Sequence, residues 1–395
     1  MKPTIIFTTR ILEYPPIGGP RLRIANSIIA LSQIADLVIH SRASYEQIGG
    51  EKAVNFFRQY VKEVVFAPSV DSLRKPKFRG IFLVIADFRD LVRVAQNFNT
   101  QIIWLGYGNI SYGLCFFLKL FTNFKVVVDT DSVWSRFVLR SLPYQKTLRD
   151  KLQMWYRGYK KRLQEFWGTK LADVTTAVSE FDAQYYRALT GNSKKVAVFS
   201  NVIDLKNYQN KLANPEIKHP SIYLAGSFGP GSAMEVAATW VIREIIPLVW
   251  KKNPTVHFYL VGRGATEKLY QLKNDRITIT GKIDSVLPYL GNVDVVLVPL
   301  KFESGTRFKI LEAAACKVPI VSTSLGAEGL EVRPGKNILI ADTPEDFAEA
   351  IVKLVTNKKL SQEISENAYR EIAMQYNIPR AIAEAQKILN LLQAS

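Results

Sequence analysis

The densest chemistry in the sequence lies in Ser304-Gly-Thr-Arg-Phe-Lys-Ile-Leu-Glu312: a hydroxyl, a glycine, two cations and a carboxylate within one short stretch. It follows an apolar run, Val293 to Pro299, that reads as a buried parallel strand. It leads into Glu312-Ala-Ala-Ala, so a helix is expected to open near Thr306. A strand, a glycine loop and a helix N-terminus together make an anion site, because the unbonded N–H groups and the helix dipole both favour negative charge. Arg307 and Lys309 then stand in the first turn, against the dipole. Two readings fit that placement: solvated surface charge, or a clamp for a phosphate.

Other stretches carry weaker signals. Gly18-Gly19 follows the first apolar strand, and glycine there lets a backbone approach a ligand closely or simply make a turn. Gly226-Ser227 and Gly262-Arg263 follow two later strands. Asp129-Thr-Asp131 ends another, which leaves three readings: a structural role at the sheet end, contact with a ligand, or a metal site. Asp131, one step past the strand end, is the better candidate for contact. Three histidines (His40, His219, His257) and two distant cysteines (Cys115, Cys316) argue against a His/Cys metal centre and a disulfide framework, and point to a reducing cytoplasm.

Strand and helix patterns alternate along the 395 residues, which predicts parallel sheets covered on both faces. That length calls for two domains. A polar stretch from about Asp204 to Pro220 interrupts the pattern, which then restarts. The expected division is a domain over 1–204, a second over 205–376, and a C-terminal helix over 377–395 packing back toward the first. Ligands of doubly wound sheets sit at the carboxyl ends of the strands. No apolar run is long enough to cross a membrane, and the N-terminus lacks a signal-peptide pattern.

The net charge is +17 and unevenly spread. Residues 1–200 hold 29 Lys/Arg against 15 Asp/Glu, net +14, while 201–395 are net +3. A basic half implies an anionic partner. The segment Gln145–Lys170 interleaves eight cations with Trp155, Tyr156, Tyr159, Phe166 and Trp167. It reads as a long surface helix whose aromatics pack on the sheet, or as a helix lying in a membrane interface. No nucleic-acid-binding signature accompanies it.

An ordered set of motifs resembles the retaining glycosyltransferases of family 4. Ala172-Asp-Val-Thr-Thr-Ala-Val-Ser-Glu180, Asn201-Val-Ile-Asp204, Ala225-Gly-Ser-Phe228, Leu260-Val-Gly-Arg-Gly264 and Gly281-Lys-Ile-Asp284 match in the family's order. Ser304 to Glu312 and Pro319 to Gly329 match best. The resemblance implies a GT-B fold, two doubly wound Rossmann-like domains facing each other across a cleft. It assigns Glu312 to the ribose hydroxyls of a nucleotide donor, and Arg307 and Lys309 to its diphosphate. Gly18, Gly19, Gly226, Ser227, Gly262, Arg263, Ser304, Gly305 and Thr306 complete the expected donor site, with Asp131 joining Arg307 and Lys309 in catalysis. The family usually has a further Glu where Ser304 stands, and Gly where Lys317 stands. The Asp-x-Asp metal site belongs to the other large glycosyltransferase fold.

The implied activity is transfer of a sugar, with retention, from a nucleotide-diphosphate sugar to a cell-surface polysaccharide or glycolipid acceptor. Neither cofactor nor metal is expected, nor any nucleic-acid partner. The expected location is the cytoplasm, with the basic half on the inner face of the membrane. The rivals are a nucleotide-sugar epimerase of the same fold, which the shortage of histidine disfavours, and a catalytically silent nucleotide-sugar binder.

Overall fold

Runs such as Ile5-Ile-Phe7, Val126-Val-Val128 and Val295-Val-Leu-Val298 are apolar, mostly β-branched, and almost wholly excluded from water. That is the composition of central parallel strands buried on both faces. The computed structural model describes residues 2–68, 79–208 and 215–394, and in it these runs build two all-parallel sheets. The first contains β1 (Thr4–Thr9), β2 (Asp36–Ser41), β3 (Glu63–Phe66), β4 (Ile102–Gly106), β5 (Lys125–Asp129), β6 (Val174–Ala177) and β7 (Val196–Val198), in the order β3-β2-β1-β4-β5-β6-β7. The second contains β8 (Ser221–Ala225), β9 (His257–Val261), β10 (Ile277–Ile279), β11 (Val295–Val298), β12 (Ile320–Ser322) and β13 (Leu339–Ile340), in the order β10-β9-β8-β11-β12-β13. In each, the strand order reverses beside the first strand, so each sheet has a switch point at its carboxyl edge.

The chain divides into two compact units. Met1–Ser135, Tyr159–Val202 and Ile378–Ser395 form the first; Arg136–Gly158 and Ile203–Asn377 form the second. The sequence reading kept 136–158 with the N-terminal domain, and the structure groups it with the second unit. The reason is visible in its side chains: Phe137 and Tyr144 pack on Phe302, and Arg140 forms a two-pronged ion pair with Glu328 at 2.7 and 2.8 Å. Part of the expected linker, 209–214, lies outside the described residues.

In the first unit the Gly19–Ser32 helix and the Ile378–Ala394 helix pack on one face of the sheet. Ala381, Ala385, Ile388, Leu389 and Leu392 join Ile24, Ile28, Trp104 and Phe199 in one buried cluster. Glu384 fixes that helix by accepting from Ser200 N and Oγ at 2.7 and 2.9 Å. In the second unit the helical run expected over Glu235–Trp250 contains a π-helical turn, Val241–Ile245, just ahead of Pro247. Proline supplies no N–H to the ladder, and the widened turn absorbs that loss.

The Leu148–Leu171 helix departs from expectation. Its aromatics do not pack on a sheet. Instead Gly158, Glu165, Gly168 and Thr169 turn inward, while Trp155, Tyr156, Tyr159 and Trp167 are exposed. Gly168 is required, because a Cβ there would sit 1.9 Å from Cδ1 of Tyr112. Glu165 is fully buried, accepting from Ser135 N at 2.9 Å and Tyr185 Oη at 3.0 Å. Among the described residues no helix is long and apolar enough to cross a membrane.

Candidate active site

Three loops leave the carboxyl ends of β9, β8 and β11, which are neighbours in the second sheet. The first two are laced together by backbone bonds, Gly226 N to Val261 O at 3.0 Å and Phe228 N to Arg263 O at 2.9 Å. Gly262 sits at φ +128, and a Cβ on it would lie 2.1 Å from the Gly226 carbonyl oxygen. No other residue fits that close approach. Arg263 Nε donates to Ser227 Oγ at 3.3 Å, so Gly226, Ser227, Gly262 and Arg263 do come together.

Two helices point their N-termini toward this edge, and they differ. The Ala233–Trp240 helix caps itself: Ser232 Oγ accepts from Glu235 N at 3.1 Å, and Glu235 accepts from Gly231 N at 2.6 Å. A carboxylate of the chain already occupies that positive end. The Phe308–Ala315 helix has no side-chain cap and no acidic residue in its first turn. Its N-terminus is the one suited to a ligand anion.

That helix starts two residues later than expected, with Arg307 as its N-cap. Gly305 at φ +79 makes the turn, and Ser304, Thr306 and Arg307 are buried. Lys309 is partly buried; burial pulls its pKa down, while Glu303 and Glu312 hold it up. Glu312 stands one turn further in. Burial pushes its carboxyl up to about 7, against the pull of Lys309 and of Tyr208, whose hydroxyl donates to Glu312 Oε1 at 3.2 Å. A hydroxyl, two cations and a carboxylate with one oxygen still to fill therefore share one helix end.

The remaining predicted residues belong to the first unit. Gly18, at φ +85, is the N-cap of the Gly19–Ser32 helix, and open space surrounds it. The two aspartates after β5 separate in role. Asp129 is wholly buried, ion-paired with Arg23 and bonded by Thr176 Oγ1 at 2.6 Å. It is a sheet-end structural residue. Asp131 takes Trp134 Nε1 at 3.2 Å, while its N–H donates to Asn109 Oδ1 at 2.9 Å. Burial pushes the Asp131 carboxyl up to about 6, with Arg23, Tyr107 and Trp134 pulling the other way. Asp129 is thus tied to Arg23 and Thr176, and Asp131 to Trp134.

Residues 220–357 match the family model described as glycosyl transferases group 1. That stretch is similar to the glycosyltransferase group 1 domain. An uncharacterized 44.6 kDa protein from the cps region of Klebsiella pneumoniae is 27% identical over 158 residues, 38% of this chain and 40% of that one. An uncharacterized glycosyltransferase of Methanocaldococcus jannaschii is 27% identical over 146 residues, 35% of this chain and 41% of that one. The matches thus span about two fifths of these relatives' length. The Anabaena protein HepE, solved with UDP and glucose, is 13% identical but superposes with a TM-score of 0.71 over 98% of this chain and 99% of its own. The two Rossmann-like domains are those of the GT-B fold.

Within the second unit two contributors escaped the sequence. Tyr208 lies in a short 3-10 turn, Leu205–Tyr208, where no periodicity marks it. Arg140 braces the loop before Ser304, donating to the Glu303 carbonyl at 2.9 Å while it pairs with Glu328. Lys317 sits at φ +56, the left-handed region, and reaches Glu366 at 2.9 Å.

Proposed function

We propose that the protein is a retaining glycosyltransferase of family 4, moving a sugar from a nucleotide-diphosphate donor to a hydroxyl of a glycan or lipid-linked acceptor. The observation that carries this reading is the uncapped helix end at Arg307–Phe308, with Gly305 and Thr306 before it and Glu312 one turn behind. Cleaving a sugar–diphosphate bond builds negative charge on the leaving phosphate. The backbone N–H groups of that helix end, with Arg307 and Lys309, stabilise it without moving. Glu312, with Tyr208 on one oxygen, offers the other to a ribose hydroxyl. The acceptor hydroxyl attacks from the leaving-group face and gives its proton to a diphosphate oxygen, which preserves configuration. Asp131 contacts the sugar or the acceptor.

No metal is needed in this scheme, since the cations are side chains and Asp129 is tied to Arg23. A UDP-sugar is the first donor to test, in view of the ligands of HepE. The cps-region relative supports a role in cell-surface polysaccharide or glycolipid assembly. The chain works in the cytoplasm, on the inner face of the cell membrane.

The test is turnover of a panel of nucleotide sugars, with and without acceptor and with and without a chelator, followed by NMR of the product. The reading predicts acceptor-dependent release of nucleotide, an unchanged anomeric configuration and indifference to chelation. An epimerised donor sinks it in favour of the epimerase, and binding without turnover on any acceptor favours the silent binder.

A further inference from the structure

Helices on a soluble surface bury their apolar stripe and show their polar one. The Leu148–Leu171 helix does the reverse. Within the first unit Tyr159, Leu163 and Trp167 follow one another every four residues and are 48%, 58% and 48% exposed. Steps of four residues place all three on one face. The helix is about 36 Å long at 1.5 Å per residue. The Tyr112–Phe121 helix lies beside it, joined where Tyr112 closes on Gly168, and it too exposes Phe116, Leu120 and Phe121.

The charge on the helix says what covers the stripe. Arg149, Lys151, Arg157, Lys160, Arg162 and Lys170 are exposed on it. Of its two carboxylates Glu165 is buried against Ser135, which leaves Asp150, accepting from Thr147 Oγ1 at 2.7 Å, as the single acidic group of the helix near the surface. Trp and Tyr with leucine between rows of Lys and Arg is the composition of a helix lying in the plane of a lipid headgroup layer, rings at the headgroup level and cations on the phosphates.

We infer that the Tyr159–Trp167 face of this helix, flanked by Phe116, Leu120 and Phe121, docks the first unit on an anionic lipid surface. Docking gives the membrane location proposed above a specific surface. It does not depend on the transfer reaction, and its test does not read turnover.

The full chain is sedimented with vesicles of phosphatidylcholine alone, or of phosphatidylcholine with phosphatidylglycerol, at low and high salt. Binding to the anionic vesicles alone, weakened by salt, is the expected result. Lys160→Gln with Arg162→Gln lowers partitioning about 25-fold, at about fivefold per cation. Leu163→Ser with Trp167→Ser lowers it further and removes the blue shift of tryptophan fluorescence on binding. Both pairs are exposed, so the thermal transition stays in place; if the serine pair loses it, the glutamine pair decides. Equal binding to neutral vesicles, no binding to anionic ones, or wild-type partitioning in the glutamine variant overturns the inference. So does a dimer that the serine pair converts to monomer, since a second copy of the chain would then own the face.

Discussion

At the carboxyl edge of the second sheet the chain presents backbone; at that of the first, side chains close over it. Gly226, Gly262 and Gly305 leave amides and carbonyls near the surface, and cations stand behind them. In the first unit Arg23, which is 2% exposed, locks Asp129, Asn201 and the Phe199 carbonyl together beneath the surface. An edge built of backbone and a helix end is ready for an anion and reorganises little. An edge built of a buried ion pair mainly holds β5 to its neighbours, and leaves one carboxyl, Asp131, for a ligand. The difference teaches that similar topology does not place equal chemistry at both edges: one is pre-formed around a helix end, and the other rests on few groups.

The largest expected effect lies on the closed edge. Arg23→Ala strands Asp129 as a buried charge, which costs about 3–5 kcal/mol of stability in urea unfolding. Calorimetry of the folded variant shows UDP affinity unchanged; a parallel loss of affinity would break the contrast between the edges. On the open edge the pattern inverts. Glu312→Gln weakens UDP binding about 10- to 100-fold, the worth of hydrogen bonds to a charged acceptor, and moves the unfolding midpoint little.

Acidity sharpens the same point. Glu312 has its pKa raised to about 7, so it takes up a proton as pH falls through neutrality, and the ionised form is the one proposed to accept from a ribose hydroxyl. UDP affinity then drops about fivefold from pH 7 to 6 in the wild type and stays flat in Glu312→Gln. Tyr208→Phe removes a bond that favours the carboxylate, so the drop begins at a higher pH. A titration by fluorescence or calorimetry across that range reads both. The smallest effect belongs to Lys317. Its φ of +56 suits glycine, and Lys317→Gly stabilises by about 1 kcal/mol, because the exposed pair with Glu366 contributes little.

The fold was legible because buried parallel strands write themselves as unbroken apolar runs, and the loops after β8, β9 and β11 carry glycines where the backbone needs them. The division of the chain was less so. Segment 136–158 joins the second unit through Arg140 and Glu328, 188 residues apart, and no local pattern announces such a pair. Tyr208 was invisible for the same reason. The Leu148–Leu171 helix was ambiguous because composition cannot say which face turns inward, and here two glycines rather than the aromatics made the contact.

The Ile378–Ala394 helix has a consequence for synthesis. Its Ala385, Ile388 and Leu389 complete the apolar cluster that begins at Ile5. Every segment of the second unit is synthesised before this helix, although most of the first unit is translated earlier. The first unit is therefore completed only after the second has been made, and until then the sheet face around Trp104 and Phe199 lacks the cover this helix provides.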